Sequence, residues 1–475
     1  MLSKFVVSRV VKTFVVALTI PLLSGCVVEQ RLSWSPDGKK MAIVGADGLR
    51  VSLDSGIHLA DPVDVDAQSV AWFPDSKRVA LVTKANCENW AELEKSVDKE
   101  EVEAIKVGAA QMLKQLELCG GDFAVCRDAL MKENFNATYV QPVLYYLRST
   151  AQDNMQRLVG REWKDMKTMD AFVCISHIKV YEVDASGKLQ LKQTLASTAN
   201  TFESIKVSPS NEFICLVDKD KNLCLVQTTA TAKGYRRIAS KFAKQPDWDF
   251  NTDVIYGLHS VVRTDKKGSS EAQELVSVDV RKGGTLKRLS WAETTNGKVR
   301  STVDGNLIFG SFVSVPASKK AKAQNADALS VLNLTSGKSK RVFVAAGGDR
   351  LESFEVSPDG KKISITNTNG AVKIVSLPGG TYKVVVPGVA KNERDVFTPV
   401  WKNNDEICYE RLSTKDGSGQ VALLSLSTNK SKDISLKWPA EAVRGLLNDP
   451  KKGSKLSFED MIKDLEEHKR ANLKS

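Results

Sequence analysis

Apolar runs alternate with short polar turns along most of the chain, and this pattern predicts short β-strands. Residues 41–44 (Met-Ala-Ile-Val) and 213–217 (Phe-Ile-Cys-Leu-Val) are continuously apolar and indicate buried strands. Residues 49–53 and 372–377 alternate apolar and polar side chains, as half-exposed strands do. We therefore expect buried strands to be followed by half-exposed ones, with a polar turn between them.

A recurring turn motif separates these strands. Ser-Pro-Asp-Gly followed by two lysines occurs at residues 35–40 and again at 357–362. In this motif Pro fixes φ, Asp bonds the backbone, and Gly accepts a positive φ. Weaker copies bring the total to seven, at residues 73–78, 208–211, 246–248, 303–305 and 401–403.

A repeat of short strands with a period of about 40 to 45 residues predicts propeller blades. We expect an all-β fold, a β-propeller of about seven four-stranded blades over residues 26–440. Residues 33–53 and 355–377 resemble the TolB-type WD40-like propeller repeat, in which Ser-Pro-Asp-Gly-Lys links the first two strands of a blade. The resemblance implies a propeller but no TolB role, because no room exists for that family's α/β domain. The alternative is a pair of β-sandwiches with chance turn motifs.

The strand pattern stops between residues 89 and 170, which predicts a helical insert in the second blade. Strands resume at Phe172, so the insert lies between the second and third strands, on the face that carries the connections between blades. The insert is either a partner-binding platform or a subdomain that covers apolar blade surface. Further helices are predicted at 122–134 and 139–158, and the apolar positions at helical spacing are Ala104, Val107, Ala110, Met112, Leu113, Leu116 and Leu118.

The N-terminus predicts an exported, lipid-anchored protein. Basic residues precede an apolar stretch at 13–23, and residues 1–25 read as a signal peptide too short to span a membrane. Leu23-Ser24-Gly25-Cys26 resembles a bacterial lipobox, which makes Cys26 the predicted lipid attachment site. Several acyl chains give stable anchoring. The alternative is ordinary secretion with a free Cys26 thiol.

Cys26 is followed by Val27 rather than Asp, so the inner-membrane retention rule of enterobacterial lipoproteins does not apply. The sequence therefore favours the outer membrane of the cell envelope.

The other cysteines predict disulfides, which persist outside the cytoplasm. Cys87 precedes the insert and Cys174 lies in the strand that follows it, so a bond between them would clamp its base. Cys119 and Cys126 flank a glycine-rich break between two predicted helices and form a second candidate pair.

A third candidate pair is Cys215 and Cys224. A two-residue turn at Lys219 and Asp220 would place these two cysteines opposite each other in a hairpin. Cys408 is then left as a buried thiol. The alternative for all of these cysteines is that they are small apolar core residues.

The charge does not indicate nucleic-acid binding. The formal net charge is +11, and it falls to +8 once the basic signal residues are removed. Runs such as Lys319-Lys320-Ala321-Lys322 are short and lack interleaved aromatic residues. The basic residues are spread over the chain.

No catalytic, cofactor-binding or metal-binding residue is predicted. The four histidines, His58, His177, His259 and His468, have no partner at metal-ligand spacing. Cys174 and His177 come closest, but residues three apart in a strand point to opposite faces. The acid pairs Asp64 with Asp66 and Asp247 with Asp249 are of a kind common in surface turns, although sequence alone does not distinguish them from a glycosidase pair.

Two hydrolytic or nucleotide motifs are absent or incomplete. No Gly-x-Ser-x-Gly elbow occurs. Gly337-Lys338-Ser339 resembles the end of a phosphate loop, but Leu332 stands where the upstream glycine is required, so we predict a hairpin turn.

The tail at residues 441–475 predicts an amphipathic C-terminal helix capped by Ser457. Its apolar face, with Phe458, Met461, Ile462 and Leu465, packs either on the propeller rim or on a partner.

The leading hypothesis is a lipid-anchored cell-envelope propeller that acts as a protein-interaction scaffold through its insert. The alternatives are a module that binds cell-wall glycan or a peptide in the channel, and an enzyme with its site at the channel mouth. An apolar stripe on the insert favours a protein partner, whereas an aromatic and acidic channel mouth favours glycan binding or catalysis.

Overall fold

The predicted turn motif forms as expected. Ser35 Oγ donates to Asp37 Oδ1 at 2.6 Å, and the Lys40 backbone N–H donates to Ser35 Oγ at 2.9 Å. The copy at Ser357 repeats both bonds. Gly38 has φ +68°, and a Cβ there would lie 2.9 Å from the Lys402 carbonyl oxygen, so both the turn and the neighbouring blade require glycine.

The computed structural model describes residues 32–434 except 46–47, 54–57, 88, 123–124, 127–128, 130–139, 161–172, 230–233, 244, 266–267, 293–296, 316–323, 346–349, 368–369, 389–392, 396–398 and 414–418. Cys26, the signal peptide and the predicted C-terminal helix lie outside this part.

The chain forms seven antiparallel blades in a ring, which confirms the predicted seven-bladed propeller. Blades 1 to 3 contain β1 (Leu32–Trp34), β2 (Lys40–Gly45), β3 (Gly48–Leu53), β4 (His58–Leu59), β5 (Ala67–Trp72), β6 (Arg78–Asn86), β7 (Cys174–Val183), β8 (Leu189–Thr198), β9 (Phe202–Val207), β10 (Phe213–Asp218), β11 (Leu223–Gln227) and β12 (Arg236–Ala239). Blades 4 and 5 contain β13 (Asp247–Trp248), β14 (Val254–Asp265), β15 (Gly268–Asp279), β16 (Leu286–Ala292), β17 (Val299–Ser301), β18 (Asn306–Val315), β19 (Gln324–Asn333) and β20 (Ser339–Val344). Blades 6 and 7 contain β21 (Leu351–Val356), β22 (Lys362–Asn367), β23 (Val372–Ser376), β24 (Tyr382–Val386), β25 (Glu393–Asp395), β26 (Val400–Trp401), β27 (Glu406–Ser413), β28 (Gly419–Ser425) and β29 (Lys430–Ile434).

Each blade is built from one continuous stretch of chain, with its first strand at the inner edge. β1 contacts both β5 and β26, so blades 1 and 7 meet and close the ring without exchanging a strand. Side-chain packing between blades 1 and 7 therefore holds the ring closed. The buried residues at this junction are Leu32, Trp34, Met41, Ile43, Cys408, Val421, Leu423 and Ile434.

The antiparallel strands give the ring two distinct ends. The turns between first and second strands, and between third and fourth strands, lie at one end, which we call the turn face. The connections between second and third strands, and between blades, lie at the other end, which we call the insert face. The predicted hairpin at Gly337 joins β19 to β20 and so belongs to the turn face.

The helical insert leaves blade 2 between its second and third strands, as predicted. β6 and β7 pair up to Asn86 and Cys174, and the described helices lie between them. These helices are α1 (Trp90–Ser96), α2 (Lys99–Leu118), α3 (Val140–Thr150) and α4 (Gln152–Val159).

The insert has a core of its own that continues into blade 2. Its helices bury Trp90, Leu93, Val102, Ile105, Ala109, Met112, Leu116, Val143, Leu144, Leu147 and Met155, together with Cys87, Val173, Ile175 and Ala199 from the blade. This arrangement corrects part of the predicted α2 face, because Val107 and Leu118 are exposed rather than buried. The buried side of α2 instead includes Val102, Ile105 and Ala109, which are not among the predicted positions.

The predicted bond between Cys215 and Cys224 is wrong. Cys215 pairs with Leu225 and Leu216 with Cys224, one step away from the expected register. The loop contains three residues rather than two, since Asp218 bonds Asn222 and Lys221 has φ 62°. A one-residue slip turns a side chain to the other face, and the two thiols accordingly lie in different core clusters.

Cys87 and Cys174 are likewise offset by one residue in the pairing of β6 with β7. Cys174 pairs with Asn86, while the Cys87 backbone N–H donates to Val173 O at 2.9 Å, so adjacent register positions hold the two cysteines. The predicted clamp is therefore not formed, and the paired strands themselves close the base of the insert. Cys119 and Cys126 both contact the insert core, but as free thiols.

The outermost strands of the blades are predominantly basic. In the described outermost strands the basic residues are Lys192, Arg236, Arg237, Lys287, Arg288, Lys340, Arg341, Lys383, Lys430 and Lys432, and the acidic residue is Asp433. Charged side chains on an exposed edge strand oppose pairing with another sheet. The basic edges therefore protect the blades from edge-to-edge association.

Candidate functional site

The innermost strands of the seven blades form the inner wall of the ring. One position on these strands, two residues before the first residue of the turn that follows, is charged in several blades. Around the ring this position holds Ser33, Ala71, Lys206, Asp247, Arg300, Glu355 and Val400. Blades 3 to 6 are thus charged at the position where blades 1, 2 and 7 are small or apolar.

These charges pair between neighbouring blades. Lys206 Nζ lies 3.1 Å from Asp247 Oδ1, which joins blade 3 to blade 4. Arg300 donates to Glu355 through Nε at 2.7 Å and Nη2 at 2.8 Å, which joins blade 5 to blade 6. The two-point contact of a guanidinium with a carboxylate fixes direction as well as distance.

Lys298 completes this cluster. Its Nζ lies 2.6 Å from Glu355 Oε1 and 3.0 Å from Ser353 Oγ, with the side chain 4% exposed. Burial lowers the pKa of Lys298 from 10.5 to about 7, and the nearby Arg300 charge adds to this effect. Burial alone would raise the pKa of Glu355, but Arg300 and Lys298 outweigh it and hold that pKa well below its usual range. The carboxylate is therefore ionised, and Arg300 and Lys298 both contact it.

Tryptophan indoles tie the same wall together. Trp72 Nε1 donates to Ser33 O at 2.8 Å, Trp248 Nε1 to Lys206 O at 3.2 Å, and Trp401 Nε1 to Glu355 O at 3.2 Å. Trp34 occupies the equivalent place in blade 1, but its Nε1 is buried without a partner. The ring closure therefore lacks a hydrogen bond that three other junctions have.

The described residues among those singled out from the sequence lie in separate contacts. Asp64 accepts hydrogen bonds from Lys179 Nζ at 2.6 Å and from the Tyr181 hydroxyl, so it is an anchoring group and not a bare surface acid. His177 Nδ1 contacts Ser197 Oγ at 2.9 Å, whereas Cys174 Sγ contacts Asn86.

The described residues contain no group of three or more side chains that could hold a metal ion. No described helix is both long and apolar enough to cross a membrane.

Two acidic residues attach the insert to the end of β8. Ser197 N–H donates to Asp98 Oδ2 at 3.2 Å, and Asp98 N–H donates to Ser197 O at 2.9 Å. Glu101 Oε1 accepts from Thr198 Oγ1 and from Ala199 N–H, both at 2.8 Å. These bonds fix α2 against blade 2 at the insert face.

Glu101 makes this attachment sensitive to pH. The side chain is buried, and burial raises the pKa of Glu101 from 4.5 to about 7, with Asp98 adding to the effect and the bonds from Thr198 and Ala199 opposing it. Above that pH the junction contains an ionised carboxylate without a described cation beside it.

The opposite face of α2 is open to solvent. Val107 is 58% exposed and Leu118 is 71% exposed, and Ala104 and Ala110 lie nearby with their side chains exposed. Residues 107 and 118 are eleven positions apart, which is three helical turns, so they share one side of the helix. The outward side of α2 thus presents two exposed apolar side chains, Val107 and Leu118, with the exposed polar residues Gln111 and Lys114 between them.

The fold places the chain in the class of seven-bladed β-propellers. No protein-family model matches the chain, and no curated protein matches it. Among solved structures it is similar to an oligogalacturonate lyase in complex with manganese, at 12% identity and a TM-score of 0.39, over 54% of this chain and 72% of that one. It is also similar to the dihydro-heme d1 dehydrogenase NirN in complex with DHE, at 10% identity and a TM-score of 0.40, over 84% of this chain and 64% of that one. Likenesses this weak carry no argument about activity.

Sequence reasoning missed the inner-wall cluster. Lys206, Arg300 and Glu355 are far apart in the chain and follow no local motif. Aligning the seven turns would have placed them in one column, which is the signal that could have revealed them.

Proposed function

We propose that the protein is a lipid-anchored propeller of the bacterial cell envelope, attached through Cys26, that holds a protein partner on its helical insert. The observation that carries this proposal is the exposure of two large apolar side chains, Val107 and Leu118, on the outward side of α2. One side of α2 is fixed to blade 2 through Asp98 and Glu101, and the other side leaves Val107 and Leu118 in solvent. Exposed apolar surface on a rigid helix supports binding of another protein.

The inner wall supports the alternatives less well. Arg300, Lys298 and Glu355 are engaged with one another, and their contacts leave a wall of ion pairs and not the aromatic and acidic lining that favours glycan binding or catalysis. The outer membrane remains the location that we propose, on the basis of Val27 after the lipobox.

The double variant Val107→Asp with Leu118→Asp tests the proposal. Charges on the outward side of α2 should abolish co-purification of the partner after chemical crosslinking in intact membranes, while the free energy of unfolding should change by less than about 1 kcal/mol because both sites are exposed. The matched control is Val303→Asp, at a residue that is 44% exposed on the turn face. Equal recovery of crosslinked proteins from the double variant, the control and the unmodified chain would refute the insert as the binding surface.

A further inference from the structure

The start of the propeller lies on the insert face. β1 begins at Leu32 and ends in the Ser35 turn, which belongs to the turn face, so Leu32 is at the opposite end of blade 1. Residues 27–31 separate Leu32 from Cys26. A stretch of this length reaches at most about 20 Å when fully extended. With a lipid on Cys26, which is part of the function proposed above, the bilayer lies within that distance of β1.

The insert face also carries the longest paired strands of the described blades, in the hairpin of blade 4. β14 and β15 contain 12 residues each, whereas β18 and β19 of blade 5 contain 10 each and the equivalent strand β10 of blade 3 contains 6. β14 runs from the turn face toward the insert face, so its second half projects beyond the ring. Six additional strand residues correspond to about 20 Å. The blade-4 hairpin, defined as β14 and β15, therefore projects about as far as the tether reaches.

The surface of this hairpin suits a membrane interface. Val262 is 63% exposed on one face of the projecting part, and Trp291 of β16 is 41% exposed on the opposite face, which it shares with Arg263. The guanidinium of Arg263 lies 5.1 Å from the Trp291 ring centre, and that of Arg288 lies 4.7 Å from it. An indole has an apolar body with a polar edge and is enriched where bilayers meet water, and arginine is attracted to anionic headgroups.

We propose that the insert face lies against the bilayer that holds Cys26, with the blade-4 hairpin in contact with the lipid. The tether limits the gap, and the hairpin is long enough to cross it. The turn face then points away from the membrane, and a partner of the insert binds at the membrane surface.

Photocrosslinking from single positions tests this orientation. The full-length acylated protein is reconstituted in vesicles of phosphatidylethanolamine and phosphatidylglycerol, with benzoylphenylalanine in place of Val262. The matched control carries the same group in place of Lys39, an exposed residue at the turn-face end of blade 1, the blade that bears the tether. We expect lipid adducts at position 262 and none above the dark background at position 39. Equal adduct yields, a higher yield at position 39, or no adduct at either position would overturn the proposal.

Mass spectrometry of the N-terminal peptide from the same vesicles measures acylation of Cys26. Its absence would refute the lipid anchor, whichever position forms adducts. Acylated Cys26 together with adducts at position 39 would refute the orientation and leave the anchor standing.

Discussion

The inner wall of the propeller and the outward side of its insert differ in what they leave available for binding. On the wall, Lys298 and Arg300 are buried and both pair with the partly buried Glu355. On the insert, Val107 and Leu118 stand in solvent on a helix whose other side is fixed. The charged side chains of the inner wall are therefore engaged in internal ion pairs, whereas α2 offers accessible apolar side chains.

The largest effect should follow from removing the shared carboxylate. Glu355→Gln leaves Lys298 and Arg300 buried without a counter-charge, and breaking a buried ion pair in this way costs about 3 to 5 kcal/mol. Urea unfolding measures the loss. The control is Glu182→Gln, whose carboxylate lies 2.5 Å from Lys192 Nζ with both side chains about half exposed, and which should cost less than about 1 kcal/mol. Similar losses for the two variants would mean that the wall is not the stabilising cluster described above.

A smaller, pH-dependent effect should come from the junction of the insert. The pKa of Glu101 is raised in the folded state from 4.5 to about 7, so the folded chain binds this proton more tightly than the unfolded chain. The stabilisation is complete below about pH 4.5 and is lost as the pH rises through about 7. Relative to Glu101→Gln, the unmodified protein should lose up to about 3 kcal/mol over this range. Thermal unfolding of both proteins from pH 4.5 to 8 tests this, and parallel pH profiles would contradict it.

The smallest effect should separate two tryptophans of the wall. Trp72→Phe removes the hydrogen bond to Ser33 O, worth about 1 kcal/mol. Trp34→Phe removes an indole N–H that has no partner, while the change in side-chain volume is the same. Trp72→Phe should therefore be the more destabilising in urea unfolding. The opposite order would indicate that the Trp34 indole is the one that ties the ring.

The features that could be predicted from the sequence are those that depend on residues close together in the chain. The Ser35 and Ser357 turns formed because their bonds join residues only a few positions apart, and the insert was visible because its periodicity changes. The predicted pairing of Cys215 with Cys224 is wrong because the loop contains one further residue, with Lys221 at positive φ. That residue shifts the register of the hairpin by one and turns the two side chains to opposite faces. The exposed side of α2 was misjudged because packing against the other insert helices and blade 2, together with the bonds of Asp98 and Glu101 to the end of β8, buries the other side, and these contacts are long-range.

Deletion of the insert tests most directly whether the ring and its insert have separate roles. Because the Cys87 N–H donates to Val173 O, these two residues form a hydrogen-bonded pair, and Asn-Gly in place of residues 88–172 should join β6 to β7 as a hairpin. The account predicts an exported, β-rich protein that unfolds cooperatively, as measured by circular dichroism in urea, and that no longer recovers the partner crosslinked by the full-length chain. A shortened chain that fails to fold, or one that keeps the partner, would contradict the account.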